Sequence, residues 1–532
     1  MKKTRQRHSF IARLASLAVV CGLTLAFASC ANDDLAQNGK TTTDDKGLTA
    51  FSTGEPTTRT TMEADGKFYW EAGDKIWVKD DSGNWKQSSN SPTGKTASFK
   101  FLMPGKYTAK SSYEVYYPGK NGNKDKVTIS ANQTQTEPNT TTHFGASGDC
   151  GIAKATLNAT SHEFEFTLDH KAAYLVFKPY TNDDILKHCY LTKIEVTSDN
   201  DITTTSTYTY TLDPTADTGA GALTGTGNGK QIVLTTKGNS GSTYQNGFPL
   251  TNTSASLTTN GAYMVIKPGT HTLRIRYWVK DVATHVEGTI TKIIPSHTFA
   301  KNEYVNMEAD LQIKNYDGDK YYLWDAQQQY WKGQEWDLGG SQPTLIGQPA
   351  GNYARNNSDV SRWYHEGGGT GRFDATQGCA SLPNANEMSW YCMYGDPRWD
   401  GDELWTTMGH LYKGRMWFKK KSVLQAENHY NTEKSANGTT DLRTTYKNYV
   451  NTNSSIMSGL PSAADANKYF YLPVLGNYEY GKLLNVGGTG EYWSSSANPA
   501  NRYGAYWLHV GASFVSLQSY DRKHGLSVWT FE

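Results

Sequence analysis

The fold of this chain is indicated most directly by Phe68-Tyr69-Trp70-Glu71-Ala72-Gly73-Asp74-Lys75-Ile76-Trp77-Val78. Within this stretch, two runs of aromatic and β-branched residues flank Gly73 and Asp74. Such residues favour strands, and glycine supplies the backbone freedom that a tight connection needs. The stretch therefore predicts a β-hairpin.

Alternation of apolar and polar residues extends this prediction along the chain. The alternating apolar positions are Phe164, Phe166 and Leu168 in one segment, and Leu273, Ile275, Tyr277 and Val279 in another. Successive side chains of a strand point to opposite faces, so each segment predicts a strand with one buried and one wet face. Residues 174–177 are apolar throughout and predict a core strand.

Composition narrows the class of protein. The chain has 532 residues, a formal net charge of +1 and 50 glycines, and long helical periodicities are absent from its sequence. This composition favours a β protein with many turns, and the near-zero charge gives no reason to expect nucleic acid as a partner.

The last third differs from the rest of the chain. Of the 15 tryptophans, 11 lie at or beyond Trp324. Asn384 is placed to cap a helix that contains Glu387, and a second helix is expected from Asp441 to Tyr449. Strand-like runs follow, so this third is predicted to be a separate α+β domain.

The amino terminus predicts export. Basic residues precede the apolar run 14–27, which ends just before Cys30. The run is too short for a spanning helix and is typical of a secretory signal. Small residues before Cys30 resemble a bacterial lipobox, and Asp33 and Asp34 resemble the surface-export signal of Bacteroidetes lipoproteins. Cys30 is therefore the expected lipidation site; the alternative is an ordinary signal peptide that contains a cysteine.

Residues 30–315 resemble the fimbrillin family of Bacteroidetes type V pilus subunits. The residues that carry the resemblance are Arg59-Thr60, the stretch 68–78, Phe166-Thr167-Leu168-Asp169-His170-Lys171-Ala172-Ala173-Tyr174-Leu175 and Phe299-Ala300-Lys301-Asn302-Glu303-Tyr304. The resemblance implies two tandem β-sandwich domains and a lipidated precursor that is cut between Arg59 and Thr60. Removal of the strand before the cut would open a groove for a strand donated by another fimbrillin subunit. Leu48, Ala50 and Phe51 are expected to occupy that groove first.

The last third resembles the Fibrobacter major paralogous domain, which is related to C-type-lectin-like folds. The matching segments are Ala380-Ser381-Leu382-Pro383-Asn384-Ala385-Asn386-Glu387-Met388, Gly490-Glu491-Tyr492-Trp493-Ser494-Ser495-Ser496 and Gly525-Leu526-Ser527-Val528-Trp529. The family pattern usually ends in Val-Arg-Cys, whereas here Trp529 and Thr530 follow Val528. The resulting expectation is a mostly β chain with a signal peptide (1–29), a tether and removable strand (30–59), two sandwiches (60–180 and 181–315) and a lectin-like tip domain (316–532).

Two kinds of binding residue are predicted in the tip domain. Trp399, Trp405, Tyr478 and Tyr480 are candidate ligand contacts, because exposed aromatic rings stack on sugars and anchor protein interfaces. For any single tryptophan, the alternative is core packing. Asp396, Asp400 and Asp402 are weak calcium candidates, and a solvated acidic loop is the favoured alternative.

The cysteines indicate structural roles rather than a catalytic or metal-binding site. After Cys30, four remain, and in an oxidising compartment Cys379 and Cys392 are the candidate disulfide, with Cys150 and Cys189 a weaker pair. The alternative is four free buried thiols. The His spacing does not suggest zinc, and no cofactor is expected.

The expected function follows from both resemblances. The sequence contains neither a nucleophile elbow nor an HExxH motif, so an enzyme is not expected. The chain is expected to be a fimbrial tip subunit and adhesin at the outer membrane surface that binds a glycan or protein. The alternative is a surface carbohydrate-binding lipoprotein that does not polymerise.

Overall fold

Strands dominate the computed structural model, which describes residues 47–53, 61–62, 68–205, 207–216 and 221–532. The prediction of a mostly β protein is confirmed. None of the helices in these ranges is long and apolar enough to cross a membrane. The predicted signal peptide, Cys30, Arg59 and Thr60 lie outside the described residues.

The secondary structure comprises 34 strands, four α-helices and four short 3₁₀ helices in the described part of the chain. In residues 47–316 the strands are β1 (Leu48–Thr53), β2 (Thr61–Met62), β3 (Phe68–Tyr69), β4 (Trp77–Lys79), β5 (Trp85–Gln87), β6 (Lys100–Pro104), β7 (Ser112–Tyr117), β8 (Lys126–Val127), β9 (Asn132–Gln135), β10 (Gly151–Leu157), β11 (Phe164–Phe166), β12 (Asp169–His170), β13 (Ala173–Tyr180), β14 (Tyr190–Ser198), β15 (Tyr210–Asp213), β16 (Ala222–Thr224), β17 (Gln231–Thr236), β18 (Phe248–Pro249), β19 (Ala262–Ile266), β20 (Gly269–Lys280), β21 (Glu287–Phe299), β22 (Tyr304–Asp310) and β23 (Lys314–Tyr316). The later strands are β24 (Tyr321–Tyr322), β25 (Arg398–Thr407), β26 (His410–Lys419), β27 (Tyr449–Asn451), β28 (Tyr469–Pro473), β29 (Asn477–Glu479), β30 (Lys482–Leu484), β31 (Gly490–Ala497), β32 (Gly504–Gly511), β33 (Phe514–Asp521) and β34 (Leu526–Ser527). The helices are α1 (Phe144–Ser147), α2 (Leu257–Asn260), α3 (Ala385–Tyr394) and α4 (Lys421–Ala426), and the 3₁₀ helices are Leu186–His188, Trp336–Leu338, Ser454–Met457 and Ala466–Lys468.

The first sheet has the strand order β5-β4-β7-β10-β11-β1-β6, with β12 paired to β10. The predicted hairpin at residues 68–78 does not form, because β3 pairs with β2, whereas β4 pairs with β5 and β7. In the intervening turn, Ala72 and Gly73 are exposed but Asp74 is buried. Asp74 accepts hydrogen bonds from the Glu71 amide at 2.7 Å and from the hydroxyl of Tyr117 in β7 at 2.9 Å. This contact ties the turn to β7, the strand with which β4 pairs.

The second core lies among the sheet β19-β13-β22 and the strands β20, β14, β17 and β9 of a larger sheet. The alternation predicted for residues 273–279 is confirmed, and so is the fully apolar run 174–177. Residue 180 was the expected boundary between the two sandwich domains, but the second core contains side chains from both sides of it. Strand β8 and most of β13 precede that residue, yet their apolar side chains belong to this second core. The polar strand β9 also precedes it and pairs with β17 of the larger sheet.

The carboxyl-terminal third packs around the sheet β24-β34-β31-β32-β33-β27 and helix α3. The predicted helix start is confirmed: the Asn384 side chain accepts from the Glu387 amide, and the Glu387 carboxylate accepts from the Asn384 amide. The helix expected over 441–449 is wrong, because that segment forms turns before β27. The Asp441 carboxylate instead accepts from Arg443 and from Asn386 of α3, a tertiary role that competes with capping.

The second and third parts of the chain share a ten-stranded sheet. Its main path runs β28-β26-β25-β21-β20-β14-β17-β9, and β18 and β23 pair at its sides with β14 and β25. A short parallel pairing of Thr289 with Glu403 joins β21 to β25. Leu404 and Leu411 also extend into the second core. This continuity places β25 and β26 directly against β20 and β21.

Candidate functional sites

Strand β1 is an internal strand of the first sheet, although it comes from the amino-terminal end of the described chain. It pairs in parallel with β11 through Phe51 and Phe164, and antiparallel with β6 through Phe51 and Phe101. Phe51 is fully buried, and its ring stacks on Phe164 with the centroids 4.9 Å apart. Without β1, strand β6 would lose its neighbour in the sheet, and the facing edges of β6 and β11 would be unpaired.

The residues expected to occupy this groove do not contribute equally. Leu48 and Ala50 are only half-buried, whereas Phe51 is buried. The difference follows from the two-residue period of a strand, which places Leu48 and Ala50 on the face opposite Phe51. Phe51 is therefore the anchor of β1. Arg59, the expected cleavage site, lies six positions beyond Thr53, the last residue of β1, and outside the described residues.

The predicted calcium candidates are held by cations and a hydroxyl group of the protein itself. Asp400 is 2 % exposed and accepts from Arg276 Nη2 at 2.9 Å and Arg415 Nε at 3.1 Å. Asp396 accepts from Arg398 at 2.9 Å and from the Tyr469 hydroxyl at 2.7 Å. The calcium interpretation is therefore wrong for Asp400, and so is the solvated-loop alternative at that position, because the carboxylate is buried between two guanidinium groups.

Asp402 lies at the margin of the same network. It is 3.5 Å from Lys413 and 3.9 Å from Arg276, and its side chain is 39 % exposed. In the described ranges, no three His, Cys, Asp or Glu side chains converge closely enough to hold a metal ion.

The network of Arg276, Asp400, Glu403 and Arg415 was missed by the sequence reasoning. Arg276 lies on β20, on the face predicted to be wet, and its partner Asp400 comes 124 positions later. Glu403 accepts from the hydroxyls of two threonines of β21 and is 3.4 Å from Arg415. The alternating pattern of β20 correctly predicted which face is polar. It could not predict that β25 and β26 pack against that face and bury it.

Two of the four predicted aromatic contacts are core residues. Trp405 is 2 % exposed and donates its indole N–H to the Gly414 carbonyl at 2.8 Å. Tyr478 is fully buried and donates to the Pro343 carbonyl at 2.6 Å. Both are therefore unavailable for ligand contact as predicted, whereas Trp399 is half-buried.

Tyr480 is the most exposed of the four, at 59 %. It lies in the two-residue turn between β29 and β30, where Tyr480 and Gly481 have φ angles of 46° and 79°. Positive φ at both positions is typical of a type I′ hairpin turn. Its ring remains accessible to a ligand.

The predicted disulfide between Cys379 and Cys392 does not form. Both thiols are free and buried, as are those of Cys150 and Cys189. Cys379 Sγ accepts from the Asp325 amide at 3.2 Å, whereas Cys392 Sγ donates to the Val515 carbonyl at 3.4 Å. The two side chains lie in different apolar clusters, and burial raises the pKa of each thiol.

A buried carboxyl group lies on β31, within the segment that resembles the lectin-like family. Glu491 is 2 % exposed and accepts from Thr489 at 3.1 Å and Asn485 at 3.4 Å, while its Oε2 has no hydrogen-bond partner among the described residues. Burial raises the pKa of Glu491 to about 7, and the negative charge of Glu479 adds to the effect of burial. Glu491 was not singled out from the sequence, which shows no sign of its environment.

The contribution of Glu491 to the stability of the protein is expected to fall as pH rises from about 5 to 8. The folded protein binds the Glu491 proton up to about pH 7, whereas the unfolded chain releases it near pH 4.5, the ordinary value for a glutamate side chain. Glu491→Gln removes this titration, so the change in its unfolding free energy from pH 5 to pH 8 should be about 3 kcal/mol more favourable than the parent's change. Denaturant titrations at both pH values measure it. Glu137→Gln, at an exposed position, is the matched control, and equal pH dependence in both variants would contradict the assignment.

The chain has weak similarity to known proteins. No known family matches it, and no curated protein does. Solved structures are matched at low similarity. A provisionally named cell adhesion protein from Bacteroides ovatus is 13 % identical, with 50 % of this chain and 93 % of that chain covered and a TM-score of 0.30. A fimbrial protein from the same species is 11 % identical, with coverage of 90 % and 97 % and a TM-score of 0.24.

A third match is the fimbrial anchor protein Mfa2 from Porphyromonas gingivalis. It is 10 % identical, with 46 % of this chain and 82 % of that chain covered and a TM-score of 0.20. The chain is thus similar to cell adhesion and fimbrial proteins of this bacterial group. The TM-scores lie below 0.5, so these similarities alone carry no functional conclusion. Support for a function comes from the contacts between residues within this chain.

Proposed function

We propose that this protein is a fimbrial tip subunit and adhesin that assembles by strand replacement. In this proposal it is exported as a lipoprotein on Cys30 and cut after Arg59. The cut releases it from the outer membrane into a fibre at the cell surface. Residues 316–532 then form a lectin-like tip that binds a glycan or a protein.

The observation that carries the proposal is the position of β1. This strand precedes Arg59 in sequence, yet it is inserted between β6 and β11 and contributes the buried ring of Phe51. Cleavage after Arg59 would cut the covalent link between β1 and the rest of its own sheet. A strand from another fimbrillin subunit could then take its place through main-chain pairing and one aromatic anchor.

A second observation supports the terminal position in the fibre. Strand β34 pairs antiparallel with β24 and in parallel with β31. Leu526 and Ser527 are both buried. A strand with neighbours on both sides is not free to be donated, so the proposed subunit accepts a strand without offering β34.

Replacement of Arg59 by alanine tests the maturation step. The Arg59→Ala subunit is expected to accumulate as a precursor that begins at lipidated Cys30 and to be absent from purified fibres, whereas the parent begins at Thr60. Amino-terminal sequencing of membrane and fibre fractions measures both outcomes. Arg502→Ala, at an exposed arginine of the last third, is the matched control. Entry of the Arg59→Ala subunit into fibres at the parental level would contradict the proposal, and a parent found only as lipidated precursor would favour the non-polymerising alternative.

A further inference from the structure

A cleft of about 560 Å³ opens at the start of the carboxyl-terminal third. All of its lining residues lie between Asp317 and Gln342, so one continuous segment builds it. The volume falls within the range of small-ligand sites. We call it the Gln cleft, after Gln327, Gln328, Gln329 and Gln342 in its wall.

Two of these glutamines are structural and form a fixed wall. Gln342 is buried, donates to the Gly318 carbonyl at 2.9 Å and accepts from the Trp336 amide at 3.2 Å. Gln329 is also buried and accepts from the Trp331 amide at 2.7 Å. Gln327 and Gln328 are exposed, so their amide groups can both donate to and accept from a ligand.

Trp336 provides an aromatic surface in the cleft. Its indole N–H donates to the Asp317 carbonyl at 3.2 Å, and its ring lies over Gly409, where an added Cβ would be 3.7 Å from the ring. The ring is half-buried, and its only polar atom is engaged by the backbone. The accessible part of this ring is therefore an apolar, oriented surface that suits stacking.

Two carboxylates of the wall have an oxygen without a partner. Asp319 Oδ1 and Glu335 Oε2 are buried and accept no hydrogen bond from the described residues. Their other oxygens are engaged: Asp319 Oδ2 is 3.1 Å from Lys320, and Glu335 Oε1 accepts from Gln329 at 3.2 Å. A buried acceptor without a donor costs about 1–3 kcal/mol. Both oxygens are enclosed by the protein, so a ligand hydroxyl reaches and stabilises them only when the side chains turn toward the cleft.

Local charge distinguishes between classes of ligand. The wall carries one ammonium group, that of Lys332, and four carboxylates, those of Asp317, Asp319, Glu335 and Asp337. This excess of negative charge disfavours an anionic ligand. Asp319 and Glu335 already have lysine partners, since Lys332 is 3.4 Å from Glu335. The charge of each of these two carboxylates is therefore already balanced by a lysine, and the oxygen that remains without a partner needs only a neutral hydrogen-bond donor.

We propose that the Gln cleft binds an uncharged sugar residue. Its hydroxyl groups donate to Asp319 Oδ1 and Glu335 Oε2 after these two side chains turn toward the cleft. Its C–H face stacks on Trp336, and Gln327 and Gln328 contact the remaining hydroxyls. The inference rests on the proposed adhesin function and names the site and ligand class of that function.

Binding of defined sugars to the full chain tests the proposal. The probes are an array of neutral oligosaccharides, followed by calorimetric titration of the best of them, with sialyllactose and trilysine as charged comparators. Trp336→Ala and Asp319→Asn are each expected to weaken neutral-sugar binding at least 10-fold. Tyr503→Ala, at an exposed aromatic residue outside the cleft, should leave it unchanged.

Each result has a definite meaning. Unchanged neutral-sugar binding in Trp336→Ala and Asp319→Asn overturns the inference, and so does binding of sialyllactose or trilysine alone, or of none of the probes. Circular dichroism melting shows whether the variants are folded. Fibre incorporation is scored separately. A parent protein that enters fibres but binds none of the sugars shows that the cleft inference alone has failed, whereas a parent that binds sugar but never enters fibres shows failure of the proposed fimbrial role.

Discussion

The Asp400→Ala variant is expected to be less stable than the parent by about 3–5 kcal/mol, the effect typical of breaking a buried ion pair. Asp400 lies between Arg276 of β20 and Arg415 of β26, at 2.9 Å and 3.1 Å. Loss of the carboxylate leaves two buried guanidinium groups that are offset only by the longer contacts of Arg415 with Glu403, at 3.4 Å, and of Arg276 with Asp402, at 3.9 Å. The damage should be concentrated where the third part of the chain meets the second.

Denaturant titration of the full chain, with tryptophan fluorescence as the signal, measures this loss. Asp402→Asn is the matched control, because Asp402 belongs to the same network but is 39 % exposed, and its contribution should stay below about 1 kcal/mol. If both variants lose equally little stability, the network does not stabilise the junction. A separate early transition in Asp400→Ala would show that the carboxyl-terminal third detaches first.

The second large effect concerns Phe51. We expect a peptide of residues 45–58 to bind the chain that lacks its own β1, and Phe51→Ala in that peptide to weaken binding about 100-fold or more. The reason is that truncation of a buried phenylalanine costs about 3–5 kcal/mol. Leu48→Ala, on the half-buried face, should weaken binding less than 10-fold.

The acceptor chain can be prepared without unfolding it. A specific protease site placed between Thr53 and Thr60 allows β1 to be cut in place, and a fluorescent peptide is then exchanged into the sheet. Anisotropy gives the affinity. Equal affinities for the parent and Phe51→Ala peptides would show that the groove does not recognise this ring, whatever the fate of Arg59 in the cell.

Local patterns predicted local structure well. The alternation of residues 273–279 and the capping pair Asn384 and Glu387 were visible because each depends on neighbours in sequence. The hairpin at 68–78 failed because the Asp74 turn bonds to Tyr117 of another strand. The helix at 441–449 failed because Asp441 bonds to Asn386.

Site residues were harder to predict, because burial depends on distant segments. Trp405 and Tyr478 have the same side chains as surface aromatics, and only packing shows that they are core residues. Asp400 resembled part of a solvated acidic loop until Arg276 and Arg415 were placed beside it. The cleft within segment 317–342 could not be predicted from the sequence. Its glutamines and carboxylates form no recognisable motif, and only the folded chain brings them together.

The two neighbours of β1 have a consequence for the direction of the proposed fibre. A strand laid into the groove in reverse would also meet one parallel and one antiparallel neighbour, but its longer pairing, with β6, would then be the parallel one. Parallel pairing is only slightly less stable per residue, so the main chain distinguishes only weakly between the two directions. The choice must come from side chains, above all the ring that stacks on Phe164. Head-to-tail order along the polymer would then depend on the off-centre position of this aromatic residue, which in β1 has three strand residues before it and two after it.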